Sequence, residues 1–435
     1  MRLEMAEFPV REARLGNQIK YQNGILEIDK KELLALILED RRVASADLDV
    51  ASPGEKTRIV NVRDAVEPRV KVAGPGCVFP GILGPVETVG EGRTHRLSGM
   101  TVMASAEYRP TILNGTAAKN AGIVDMWGPA SKVTPYGTTI NVVLNLDLVD
   151  GVTELEAHTT IQMAEFKVAH RLAQTTRDQQ PDSIEVFELV DVDPSLPRIV
   201  YIVTFLADQN NPHSGEAYYG LPVRESLPTF MHPNEILDGA VTADARQGGG
   251  IHTTTWMWMN QPVILDLLKR HGKELNFLGV IFQRTRFETD FGKQVTATCS
   301  SQLARLLKAD GAIITRTSTS GNNFIDVMLT VQACETKGIK VVFMTPEWGG
   351  KEGTELPLAF YVPGAKSMVS TGSFERDIKV PAPTKVIGAG DLRRVQLYPD
   401  DPPFSAWDEH TLPSWFLFTG GVDWFGVMNT TCTTY

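Results

Sequence analysis

From residue 1 to about 150, short apolar runs are broken every few positions by Gly, Pro or charge, as in GILEID, TRIVNV, PRVKVAG, HRLSGMTVMAS and TTINVVLNLDLVDG. Alternation on that scale sends side chains to the two faces of a strand in turn, which predicts a β-rich region. One helix interrupts it. In DKKELLALILE (29–39), Leu33, Leu34, Ile37 and Leu38 lie near helical spacing behind Asp29, whose carboxylate can accept the first free backbone N–H groups. A second helical period fills ELEAHTTIQMAEFKVAHRLA (154–173), and PRIVYIVTFL (197–206) reads as a buried strand. Beyond Asn260 the rhythm is regular: helix 261–271, strand 276–282, helix 295–311, strand 312–317, helix 322–338 and strand 339–345. Strands separated by helices imply a parallel sheet covered on both faces, with its ligand side at the carboxyl ends of the strands, where strand order reverses.

The expected fold class is therefore α/β: a β-rich N-terminal domain (1–150), an α/β middle segment (151–260), and a Rossmann-like α/β C-terminal domain (261–435) with a mostly parallel sheet. The tail, with LYPDDPPFSAW and PSWFLFTGGVDWFGV, is dense enough in aromatic residues to pack onto this chain or a neighbouring one. Length fits two or three domains, and 42% hydrophobic with 22% charged residues is an ordinary globular composition. A net charge of −10 argues against nucleic acid as the main partner, because phosphate binding needs a basic surface. No apolar run approaches the roughly 20 residues that span a bilayer, and MRLEMAEFPVREARLG lacks the apolar core of a signal peptide, so a cytoplasmic location without membrane contact is expected. The four cysteines, Cys77, Cys299, Cys334 and Cys432, form no CxxC spacing, which leaves no disulfide framework or zinc site in view.

Candidate chemistry concentrates in GAVTADARQGGGIHTTTWMWMNQP (239–262). His252 there is either a general base or a satisfied loop histidine, and Asp238 and Asp244 precede it; carboxylate plus imidazole is an acid/base pair. Gly248, Gly249 and Gly250 permit close backbone approach to a ligand. Trp256 and Trp258 are expected at a buried strand edge or interface. In GEGRTHRLSG (90–99), Arg93 and His95 either belong to an anion cradle or lie on the surface of a hairpin turn. Cys299, placed near the start of the 295–311 helix, and Cys77, in a Gly/Pro loop, are candidate thiols, with plain packing as the other reading. No GxGxxG, Walker or GxSxG motif is present.

Several segments in order, NGILEIDKKELLALI, EPRVKVAGPGCVFPG, VGEGRTHRLSG, GIVDMWGP, PNEILDGAV, NQPVILDLLKRHGKELNFLGVIF, LKADGAIIT and KGIKVVFMT, resemble the α/β-subunit precursor of component B of glycine, sarcosine and betaine reductases. The resemblance runs from Met1 to about Ile387, with a weaker match at GVMNTTCTTY. It implies a substrate-binding subunit in a hetero-oligomer, with a small amino-acid-like substrate and a selenoprotein- or thiol-containing reductase partner that attacks the α-carbon and expels the amine. It also implies a pyruvoyl group made by cleavage at an Asn-Cys bond, whose ketone captures primary and secondary amines.

Anchored on PNEILDGAV and NQPVILDLL without a gap, that Asn-Cys pair falls near Ala245-Arg246. A guanidinium has no thiol or hydroxyl for the acyl shift, and no Ser or Cys occurs between Ser226 and Cys299. The expectation is an uncleaved chain with no cofactor. Its candidate catalytic residues are His252 and Asp244, and its candidate substrate-binding residues are Arg246, Gly248, Gly249, Gly250, Arg93 and His95. A guanidinium fork at Arg246 suits a substrate carboxylate. A surface Arg246 in a disarmed loop, a non-catalytic scaffold, and a self-sufficient enzyme using Cys299 or Cys77 are the alternatives.

Overall fold

In the computed structural model of the chain, the described residues are 1–107, 121–207, 215–223, 226–243, 252–286, 288–317, 321–350, 352, 358, 360–395, 404–428 and 433–434. The architecture is α/β. Up to residue 150 it is built on two principal sheets, the first completed by the later strand Ser183–Glu188. One has the strand order Ser183–Glu188, Arg2–Pro9, Gly92–Ser98, Arg69–Ala73; the other runs Gly122–Asp125, Thr57–Val66, Met100–Glu107, Ile140–Leu148, Val43–Ala51. The Lys30–Ile37 helix is capped by Asp29, which accepts from the backbone N–H of Lys31 and Glu32. The 20-residue helix Glu154–Ala173 starts on a capping box between Thr153 and Glu156 and lays Ile161, Phe166 and Leu172 into the same core as strand residues Phe8, Leu97 and Val142.

The second unit is a mostly parallel sheet in the order Thr229–Met231, Asn276–Thr285, Arg198–Leu206, Gly311–Arg316, Lys340–Glu347, Met368–Ser373, Thr433–Thr434, antiparallel only at its two edge strands. In chain order its five parallel strands lie 2-1-3-4-5, so the direction of winding reverses between Arg198–Leu206 and Gly311–Arg316. Helices Asp290–Leu306 and Gly321–Thr336 pack Ala304, Phe324, Val327 and Val331 on one face. The other face holds Trp258, Ile264 and Leu267 from the short helices Thr255–Met259 and Pro262–Arg270, with Val422, Trp424 and Phe425 of the aromatic tail.

The tail packs on its own chain. Lys385–Ile387 pairs with Thr57–Val66, and Val380, Leu412 and Phe418 share a core with Val60 and Ile123. Strand Arg198–Leu206, from the segment before residue 260, is an interior strand of the parallel sheet.

Three local expectations are corrected. The segment 92–98 is a strand hydrogen-bonded on both sides, not a hairpin turn, and buries His95. Thr255–Met259, carrying both tryptophans, is helical rather than a strand edge, because Thr254 caps it by accepting from Met257 N–H. The helix expected over 295–311 occupies Asp290–Leu306; it ends where Lys308 turns left-handed at φ 56°, with Ala309 N–H closing on Ala304 O at 3.0 Å. Cys299 therefore sits in the helix interior, away from the partial positive charge of the N-terminus that would favour a thiolate.

Candidate functional site

Within the glycine-rich loop the described residues end at Ala243, the last residue of strand Val241–Ala243, and resume at His252. Asp244, Arg246, Gly248, Gly249 and Gly250 lie outside the described residues. Its two feet are well defined. Thr255 Oγ1 accepts from Ala243 N–H at 3.0 Å and donates to Asp64 Oδ2 at 2.6 Å, while its own N–H reaches Asp64 Oδ1 at 2.8 Å. Thr254 bonds the Tyr136 hydroxyl. Thr253 Oγ1 accepts from Trp258 Nε1 at 3.1 Å and donates to Glu216 Oε1 at 2.8 Å. Each member of the threonine run thus grips a different part of the molecule.

Glu216 opens strand Glu216–Tyr218 of a small antiparallel sheet that meets the carboxyl end of the parallel sheet through the Ala207–Gly215 bridge. Gly215 precedes Glu216 with φ 117°, and a Cβ there would lie 2.0 Å from Leu206 O, so only glycine lets the chain return against the end of the Arg198–Leu206 strand. Thr317, which follows the Gly311–Arg316 strand, donates its backbone N–H to Thr204 O at 3.0 Å and its hydroxyl to Glu216 Oε1 at 3.3 Å. The carboxyl therefore lies over the seam where strand order reverses, the position at which sheets of this winding bind their ligands.

The carboxyls around the loop feet, Asp64, Glu165 and Glu216, are all buried. Burial pushes the Glu216 carboxyl up to about 8. Burial also raises Asp64, against the bonds from Thr255, and raises Glu165, whose ionisation the charge on Asp64 further opposes. Desolvation pushes part-buried His252 down to about 4, which keeps its imidazole neutral and able to accept a proton.

Opposite slopes of stability against pH follow. His252 binds its proton more readily when unfolded, so its contribution is lost as pH falls from about 6.5 toward its folded value of about 4. Glu216 holds its proton more tightly when folded, so stability falls as pH rises from the ordinary carboxyl range to about 8. Between pH 6.5 and 8 the histidine no longer contributes a slope. Glu216→Gln is expected to make urea-unfolding free energy less steep there by about one proton, or about 1.4 kcal/mol per pH unit. Superimposable pH profiles for the two proteins would remove Glu216 as the titrating group.

Arg93 and His95 stand apart from the loop feet. Arg93 pairs with Glu4, its Nε at 2.8 Å and Nη2 at 2.5 Å from Oε2. His95 is buried, with Nδ1 3.1 Å from Thr176 O and its ring 4.8 Å from that of Phe8. The neighbouring backbone does cradle a carboxylate, but one of this chain: Gly90 N–H and Thr94 Oγ1 donate to Asp238 at 2.8 and 2.6 Å, and Lys71 pairs with it. Cys77 is part-buried, with a thiol raised chiefly by desolvation, and Cys334 is buried and raised to about 12.

A cavity of about 630 Å³ opens on the other side of the loop helix, with Trp256, Phe374, Trp415, Thr134 and Thr371 among its walls. The two threonine hydroxyls donate to Thr419 O and Asp423 O. Among the described residues no cluster of His, Cys, Asp and Glu is arranged to hold a metal, and no helix is long and apolar enough to cross a membrane.

Glu216, Asp64, Glu165 and Tyr136 carry no motif, and sequence reasoning missed them. The visible signal was Asp64 inside the apolar run TRIVNVRDAV, since a carboxylate in a strand buried at every position needs a partner.

Fold and site together define an α/β protein whose glycine-rich loop is anchored at the switch point of a doubly wound sheet and braced against a β-rich unit. The chain belongs to the family of glycine/sarcosine/betaine reductase component B subunits, whose model matches residues 1–397. It is 34% identical over 398 residues to the sarcosine reductase complex component B subunit alpha of Peptoclostridium acidaminophilum, covering 90% of each chain. It is 33% identical over 395 residues to the glycine reductase complex component B subunits alpha and beta of Acetoanaerobium sticklandii, covering 89% of each. Identity to the betaine reductase complex component B subunit alpha of P. acidaminophilum is 31% over 398 residues, 89% of this chain and 88% of the relative.

Proposed function

We propose that this chain is the substrate-binding subunit of a reductase complex, that it works uncleaved and without a pyruvoyl group, and that loop 239–262 forms its substrate site. The observation that carries this reading is the anchoring of the loop's returning end at the switch-point seam through Thr253, Glu216 and Thr317. The relatives named above are components of complexes, which supports partner subunits for this chain, one of them supplying a selenol or thiol. Arg246 holds the substrate carboxylate as a two-pronged donor, the triglycine lets backbone approach it, and neutral His252 with Asp244 manages protons. The partner's selenolate or thiolate forms a bond to the substrate carbon as the C–N bond breaks, and the departing nitrogen keeps the electron pair and takes a proton. Charge and shape, rather than an imine, hold the substrate, which suits a quaternary amine or another α-substituted acid.

Intact-mass measurement with hydrazine labelling tests the uncleaved state. The expected result is one unlabelled species at 47.8 kDa, and two fragments with a labelled terminus would restore a carbonyl group. Arg246→Ala in the reconstituted complex is expected to raise KM about tenfold or more, the loss of one charge-assisted pair. Weakened assembly with unchanged kinetics of the assembled fraction would indicate a scaffold instead.

A further inference from the structure

Glu216 offers more than the loop foot uses. Oε1 accepts from Thr253 and Thr317, whereas the buried Oε2 has no hydrogen-bond partner among the described residues. Among the described residues the side chains that act on this carboxyl are Thr253, Thr317 and Trp258, none of them charged. The adjacent titratable group, His252, is neutral at pH 7 and brings no countercharge. A carboxyl taken out of water beside two hydroxyl donors, with no cation among the described side chains, is prepared for its charged form in everything except the opposite charge. It also lies on the seam between Arg198–Leu206 and Gly311–Arg316, where a ligand is expected on topological grounds.

We propose that Glu216 is the residue that receives the ammonium or alkylammonium nitrogen of a small zwitterionic ligand, with Oε2 facing the nitrogen and Oε1 held by the two hydroxyls. This rests on the reading of loop 239–262 as the substrate site and adds to it the group that meets the nitrogen end. No bond to carbon is involved. The neutral carboxyl loses its proton to solvent as the cation enters, so one positive charge enters the site, the pair becomes neutral, and one proton appears in the buffer.

Binding calorimetry of the full chain in buffers of different ionisation enthalpy counts that proton. N,N,N-trimethylglycine, sarcosine, glycine and acetate serve as probes; the trimethylated nitrogen carries no proton of its own, so any proton it liberates comes from the protein. With Glu216 titrating at about 8, trimethylglycine is expected to release about 0.9 proton at pH 7 and about 0.1 at pH 9. Glu216→Gln is expected to abolish the release and weaken binding of the cationic probes tenfold or more, leaving acetate unchanged. Thr317→Val, which keeps the carboxyl, is expected to retain the release. It also serves as the folded control should the Gln variant not fold.

Equal affinity and equal proton count in wild type and Glu216→Gln would make Glu216 a loop fastener and overturn the assignment while leaving the substrate loop intact. Proton uptake at pH 9 would also overturn it, because it would mean that the carboxyl donates to a ligand acceptor. Failure of every probe to bind wild type would sink the reading of the loop together with this one.

Discussion

Arg69→Ala is expected to lower the unfolding free energy by about 3–5 kcal/mol, the usual cost of leaving one member of a buried ion pair behind. The guanidinium is buried and ties four acceptors together. Its Nε donates to Glu67 at 2.7 Å, and its terminal nitrogens reach Leu237 O, Met259 O at 3.1 Å and Asn260 Oδ1 at 2.9 Å. Leu237 precedes the substrate loop and Met259 lies near its end, so one side chain ties the two ends together. Removal strands the Glu67 carboxylate and two backbone carbonyls without donors. Arg69→Lys keeps the charge but supplies a single nitrogen, which cannot span those acceptors, and is expected to recover less than half of the loss. Urea denaturation at pH 7 measures both, and limited proteolysis is expected to show faster cutting within 239–262 in the Ala variant. A change below about 1 kcal/mol for Arg69→Ala would mean that the loop flanks are held by other contacts.

Trp258→Ala is the second large effect, at about 3–5 kcal/mol. The ring is fully buried, edge-on to Phe282 at 5.7 Å and Phe425 at 5.2 Å, and so joins the loop helix to the parallel sheet and the tail. Trp258→Phe retains much of that volume and loses the Nε1 bond to Thr253. Its expected cost is about 1–2 kcal/mol, divided between a smaller cavity and one unmade hydrogen bond. Thermal unfolding separates the two variants. Equal losses for Phe and Ala would move the importance from packing to the indole N–H and, through Thr253, to Glu216.

Part of this architecture was legible because it is written in local periodicity. The Glu154–Ala173 helix follows from its capping box and apolar spacing, and Asp29 announces the helix after it. Helix ends were less legible. Gly292 and the polar residues around it hide the true start of the Asp290–Leu306 helix, and its end depends on the left-handed Lys308. The tryptophans of 256–258 match a strand in composition, but the cap at Thr254 and packing against the sheet make them helical.

The sequence alone determined the alternation of strands and helices, the family, the loop worth attention, and the lack of any Ser or Cys within it, because each is a property of neighbours along the chain. Only the tertiary structure decided which residues meet that loop. Asp64, Tyr136, Glu165, Glu216 and Thr317 come from five separate stretches and touch or face its feet through winding order and sheet packing. The structure likewise decided that Arg93 and His95, adjacent to glycines in sequence, are held by Glu4 and Thr176. The physical reason is range: a capping bond or an apolar stripe is settled within a few residues, whereas the burial that holds a proton on Glu216 depends on chain segments brought together only when the sheets close.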